Sequence, residues 1–249
     1  MEKLKPDTSY HIFNHANGFE NVFREPENYP FFLEKYRKYI SPVAETYAYC
    51  LMPNHFHLVV RIRKQAVIEQ LIRNKNNPIP EINFSSPANN YSNRTANFSK
   101  VQNFGKVDEV GKVEELEKAE DGKLQENNNE IEKYISKQFA NLFSSYTQAF
   151  NKINHRMGSL FIKNFKRDPI LIKEHFLNAV IYTHRNPIHH GYRDSYEEWP
   201  YSSYSGIVNG EENGVESQKL IKIFGGIDWF VQLHAASKNS ISNTMFEIP

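Results

Sequence analysis

Apolar positions along the chain change period several times, and each change predicts an element. Ser9-Tyr10-His11-Ile12-Phe13-Asn14-His15 alternates as a strand does, and Asn17-Gly18 closes it with a turn. Tyr29, Phe32, Leu33, Tyr36 and Ile40 then recur at helical spacing, in a helix that stops before Pro42. Val43 to Met52 alternates again, and Met52-Pro53-Asn54 turns at once into His55-Phe56-His57-Leu58-Val59-Val60-Arg61-Ile62. The β-branched residues of that run favour a strand, paired with the previous one as a hairpin. Further on, Ile135, Phe139, Leu142, Phe143, Tyr146 and Phe150 form the wide apolar stripe of a helix, with order returning at Ile131. A basic turn, Asn154 to Ser159, leads to a strand predicted over Leu160 to Arg167. Phe176, Leu177, Val180 and Ile181 share one face of a helix that starts at Lys173 and that Asn186-Pro187 ends. The aromatic turn Trp199-Pro200-Tyr201-Ser202-Ser203-Tyr204 and an amphipathic segment near Trp229, Phe230 and Leu233 form a C-terminal extension over 192–249, packed on the same domain. A strand, a helix and a hairpin predict the α+β class, an antiparallel sheet with helices on one face.

Composition alters this picture in the middle of the chain. From about 74 to 130, Asn, Ser and Pro and then Glu and Lys dominate, with a degenerate local repeat and at most a short helix over 113–124. So few large apolar residues cannot offset the entropy of ordering, which predicts a long mobile insertion into a single domain spanning 1–249. The formal charge of +1 hides a strong asymmetry: Asp108 to Glu132 holds ten acids against Lys112, Lys118 and Lys123, leaving about +8 on the remainder. The folded part therefore suits an anionic partner. Cys50 is the only cysteine, so a disulfide framework and a cysteine-based zinc cluster are excluded. Neither a membrane-spanning apolar run nor a signal peptide is evident, and a cytoplasmic location is expected.

On a strand, His55 and His57 project to one side and Phe56 to the other, so Phe56 enters the core and the imidazoles stand outside it. A bare His-x-His arises by chance about 0.4 times in a chain with ten histidines, and proves little alone. Tyr182 and Asn186, four residues apart, share a helix face. If that face meets the histidine strand, two imidazoles and an amide oxygen supply three ligands, a set that suits Mg²⁺ or Mn²⁺, with Tyr182 as an attacking phenol. Lys163, Lys166, Arg167, Lys173 and Arg185 cluster in sequence around this site and suit a groove that tracks a phosphate backbone, and Lys152, His155 and Arg156 suit further phosphates. His184, His189 and His190 straddle a helix end without ligand spacing.

These residues resemble a known family. Met52-Pro53-Asn54-His55-Phe56-His57-Leu58-Val59-Val60 is similar to the signature of the HUH single-strand endonucleases. Tyr182-Thr183-His184-Arg185-Asn186-Pro187-Ile188-His189-His190-Gly191 is similar to the tyrosine helix of their single-tyrosine transposases, in particular the REP-associated tyrosine transposases. Further similarity lies at Tyr146 to Lys152, Gly158 to Arg167 and Trp199 to Tyr204. The resemblance implies a ferredoxin-like sheet, a divalent ion on His55 and His57, and Tyr182 as a nucleophile forming a 5′-phosphotyrosyl link to single-stranded DNA beside a hairpin or inverted repeat. It also implies work at the nucleoid, as a monomer or a homodimer. Asn186 stands where insertion-sequence relatives carry a glutamine ligand. A replication or mobilisation nickase and a non-catalytic hairpin-binding protein are the alternatives.

Overall fold

The alternating segments close into one sheet in the computed structural model of the chain, which describes residues 3–76 and 116–238. Strand β1 (Ser9–His15) is followed by helix α1 (Asn28–Tyr39), then β2 (Ala44–Met52) and β3 (His55–Ile62), then helices α2 (Gln65–Asn76) and α3 (Leu116–Ile153), and strand β4 (Lys166–Ile170). The order across the sheet is β2-β3-β1-β4 with each pair antiparallel, the β-α-β-β-α-β pattern of a ferredoxin-like sheet. Helix α4 (Lys173–His189) and three shorter helices, α5 (Tyr204–Val208), α6 (Ser217–Phe224) and α7 (Ile227–Ser237), complete the described chain. The expected α+β class is the class observed.

Strand alternation gives the sheet two different faces. Tyr10, Ile12, Phe56, Leu58, Val60 and Ile62 point one way and pack with Phe32 and Tyr36 of α1 and Phe139, Leu142 and Tyr146 of α3. His11, Phe13, His15, His55, His57 and Val59 point the other way. That second face is covered too: α4 lies over it, with Val180, Ile181 and Tyr182 in one cluster with Ala48, Val59 and Ile170, backed by α5, α6 and α7. The helical layer read from the sequence is thus the α1–α3 side, and α4 adds a second layer that periodicity alone did not place. The exposed edge of β2 is sealed by the aromatic turn, where Leu51 N donates to Tyr201 O (2.9 Å), Ser203 N to Tyr49 O (3.0 Å) and Trp199 Nε1 to Leu51 O (3.0 Å).

Three boundaries differ from expectation. The strand expected at Leu160–Arg167 lies further on, because Asn164 at φ +65° interrupts the extended run and Phe161 makes only an isolated bridge to Ala16. Pro169 is accepted within β4 because an edge strand needs no donor on its outer side. Pro187 lies inside the last turn of α4 rather than ending it, and His190 N still closes the helix on Asn186 O. The segment expected to be a mobile insertion lies, over 77–115, outside the described residues, while α3 begins at Leu116 rather than near Ile131 and takes in the described part of the short helix expected there.

Candidate active site

The β1–β3 register sets Phe13 opposite His57 and His15 opposite His55, so all four rings share the face that α4 covers. Tyr182 and Asn186 lie on the side of α4 turned to that face. The four residues singled out from the sequence therefore meet within one chain. His55 Nε2 is 3.0 Å from Asn186 Oδ1, across 131 residues of sequence. Tyr182 stands edge-on to His57, with ring centroids 5.4 Å apart. The imidazoles are not outside the core as the alternation suggested; His55, His57, Asn186 and Tyr182 are all buried beneath α4.

Burial decides the ionisation of the pair. Desolvation pulls His55 down to about 3, partly opposed by the Asn186 amide oxygen, which can accept from the ring N–H, and neighbouring His15 and His190 push the same way as burial. His57 falls well below the ordinary imidazole range, through desolvation first and then His11 and His55. Both rings are therefore neutral near pH 7, the form in which imidazole binds a metal.

The hydrogen bonds test whether a divalent ion fits. Asn186 Nδ2 donates to Tyr182 O at 3.2 Å, which turns Oδ1 toward His55. His55 Nδ1 also lies 2.8 Å from Asn54 Oδ1. A neutral imidazole carries one N–H and can satisfy only one of these two oxygens. With the proton on Nδ1, bonded to Asn54, the Nε2 lone pair and Asn186 Oδ1 face each other at 3.0 Å. In that tautomer the two lone pairs suit a cation between them, since neighbouring ligands of an octahedral ion with bonds of about 2.1 Å sit about 3.0 Å apart; with the proton on Nε2, His55 donates to Asn186 Oδ1 directly. Among the described residues no three His, Cys, Asp or Glu side chains converge as a ligand set. The fitting donors are His55, His57 and the Asn186 amide, and they carry no negative charge.

Three further histidines surround the pair: His11 and His15, not singled out from the sequence, and His190, which was weighed there with His184 and His189 and set aside for want of ligand spacing. His15 stacks on His55 (4.6 Å, 14°), His190 meets His55 edge-on (5.1 Å), and His11 stacks on His57 (5.1 Å, 11°). Their signal was the spacing of His11 and His15 on β1, legible only once β1 is known to neighbour β3. His184 points elsewhere, into a buried chain with Ser203 and His234.

The basic residues do not form one cluster. Lys163 and Arg167 line an open groove of about 540 Å³ between α3 and the segment 158–167, together with Ser144, Thr147 and Asn151. Arg167 lies over the Phe165 ring at 4.0 Å. Lys166, one residue away, shares the face of Phe13 and the histidines instead. Lys152 is exposed at the end of α3, Arg185 is half-buried on α4, and Lys173 lines a second hollow with Ser9 and Arg61. Arg156 is engaged structurally: its guanidinium donates to Asn151 Oδ1, to Glu20 Oε1 at 2.8 Å and to Ser159 O.

Among the described residues no helix is long and apolar enough to cross a membrane. No protein-family model matches the chain. A Haemophilus influenzae protein named as a REP-associated tyrosine transposase is 21% identical over 211 residues, covering 84% of this chain and 79% of its own. A solved structure of a REP-associated tyrosine transposase bound to a REP hairpin covers 84% of this chain and 83% of its own, at 14% identity and a TM-score of 0.43. The chain resembles the REP-associated tyrosine transposases along most of its length, as its motifs do.

Proposed function

We propose that this protein is a metal-dependent single-stranded DNA endonuclease and strand transferase of the tyrosine-transposase kind, acting beside a DNA hairpin. The observation that carries the reading is the convergence of His55 and Asn186 at 3.0 Å with Tyr182 edge-on to His57, from segments far apart in sequence. The Haemophilus influenzae relative's name points to the same chemistry.

His55, His57 and Asn186 would hold Mg²⁺ or Mn²⁺, which when bound supplies a positive charge that polarises a phosphate oxygen. Tyr182 Oη attacks phosphorus and forms a new P–O bond. The bond to the 3′-oxygen breaks, and that oxygen takes up a proton as the phenol gives one up, leaving a 3′-hydroxyl and a 5′-phosphotyrosyl link. One phosphodiester is exchanged for another, so the reverse attack by a 3′-hydroxyl rejoins DNA without an external energy source. Lys166 on the histidine face, and Lys163 and Arg167 in the adjoining groove, suit the flanking phosphates.

The test is incubation with hairpin-bearing single-stranded DNA and Mn²⁺, followed by denaturing electrophoresis. A covalent protein–DNA adduct that disappears in Tyr182→Phe is expected. An adduct that persists in Y182F removes Tyr182 as nucleophile. Retained hairpin binding with no adduct from the unaltered chain favours the non-catalytic binding protein.

A further inference from the structure

We propose that His11 is a positioning residue which, by accepting a hydrogen bond from His57 Nδ1, keeps the Nε2 lone pair of His57 available to the cation; the inference rests on the metal-site reading above.

His11 Nε2 and His57 Nδ1 lie 3.0 Å apart, in rings only 11° from parallel, and both side chains are buried. The register explains the meeting. Phe13 stands opposite His57, so His11 is its diagonal neighbour on the same face. Two ring nitrogens at this distance hold one proton between them, and its owner decides what His57 can do. If His11 Nε2–H donates, neutral His57 must carry its own proton on Nε2 and has no lone pair to offer there. If His57 Nδ1–H donates, Nε2 is a free electron-pair donor. Nδ1 is turned toward His11, so Nε2 is the nitrogen left for an ion, and only the second arrangement gives a ligand.

Metal-bound histidines as a rule donate their other N–H to a carboxylate, a carbonyl or water, which fixes tautomer and ring orientation. Here an imidazole takes that place. Its surroundings hold it there: Phe13 lies against both rings, at 5.0 Å from His11 and 5.4 Å from His57. Tyr182 closes the other side edge-on, at 5.8 Å from His11. The same contacts tie the proposed nucleophile to the pair that orients the ligand.

The experiment measures Mn²⁺ affinity of the full chain by titration calorimetry, for the unaltered protein, His11→Phe and His11→Gln, with circular dichroism to verify folding. Loss of the acceptor in H11F should weaken binding about 10- to 100-fold. H11Q, whose amide oxygen can reach the place of Nε2, should stay within about threefold of the unaltered chain on the same scale. Binding by H11F within about twofold of the unaltered chain overturns the role of His11 and leaves the metal site standing. No Mn²⁺ binding by the unaltered chain overturns the metal reading and this inference together. Should H11F not fold, long-range ¹H–¹⁵N spectra of the unaltered chain loaded with Zn²⁺ decide: an Nδ1–H tautomer at His57 supports the proposal, and an Nε2–H tautomer overturns it.

Discussion

Replacing Ser203 by alanine should destabilise the fold well beyond the loss of one surface hydroxyl, because Ser203 opens a directional chain of buried hydrogen bonds. His234 Nδ1 lies 2.7 Å from Phe230 O, and a carbonyl only accepts, so Nδ1 carries the proton. Burial lowers His234 to about 4 and His184 well below the ordinary range, so each ring has one N–H. His184 Nδ1–H must then donate to His234 Nε2 at 2.9 Å, and Ser203 Oγ–H to His184 Nε2 at 2.8 Å. Ser203 Oγ in turn accepts from Tyr49 N at 2.9 Å. The chain runs from β2 through α4 to α7 with every proton assigned. Ser203→Ala strands one buried acceptor, His184 Nε2, and one buried donor, Tyr49 N. At roughly 1–3 kcal/mol for each unsatisfied group, the loss is about 2–6 kcal/mol, a large share of a typical domain's stability. Urea unfolding at pH 7.5, with the slope unchanged, measures it. A loss below about 1 kcal/mol would show that the chain is not satisfied in this order.

Other outcomes can be stated more briefly. His234 is neutral in the fold with its pKa lowered to about 4, whereas the unfolded chain titrates at the ordinary value of 6.5. Between those pH values the unfolded state binds the extra proton, so stability is full above pH 6.5, falls as pH drops, and levels off below 4, a loss of about 3 kcal/mol from this residue. Urea midpoints from pH 7.5 to 4.5 should follow that direction, and a midpoint that rises toward acid pH contradicts it. Asn186→Asp places a carboxylate in a buried site, so the metal-free melting temperature should fall, and Mn²⁺ should raise it by more than in the unaltered protein; equal Mn²⁺ shifts in the two proteins would exclude residue 186 as a ligand. The proposed ligands His55, His57 and Asn186 are uncharged and would leave the charge of a bound ion unbalanced until a phosphate arrives. Mn²⁺ should therefore bind about 5- to 150-fold more tightly with an uncleavable DNA strand present, as calorimetry with and without DNA would measure.

Strands β1 to β3, helices α1 and α4 and the C-terminal part of α3 were legible because each rests on a local period, whereas β4 was expected too early and α2 was not predicted. The grouping of His55 and His57 with Tyr182 and Asn186 as a candidate site was legible from residue type, spacing and the family resemblance. Their contact was not. It depends on α4 folding over the second face, which follows from where Val180 and Ile181 find apolar partners in Val59 and Ala48. His11 and His15 were overlooked because alternation gives a strand's faces but not its neighbours. Arg156 was read by charge alone as a phosphate contact, yet Glu20 lies 136 positions away in sequence and takes its guanidinium. The Ser203–His184–His234 chain was hidden for a related reason: its three members come from the aromatic turn, α4 and α7, and only packing unites them.

One physical cause links stability and chemistry on the histidine face. Covering it with α4 removes the imidazoles from water, which costs solvation but keeps His11, His55 and His57 neutral. Neutral rings do not repel one another as cations would, so the stacked pairs His15–His55 and His11–His57 can pack at van der Waals contact. The same neutrality leaves each ring with a lone pair, and Asn54, Asn186 and His11 each lie within hydrogen-bond distance of one ring nitrogen. A carboxylate among the proposed ligands, in place of the Asn186 amide, would draw protons onto the neighbouring rings and offset the charge of the proposed ion before any phosphate reached it.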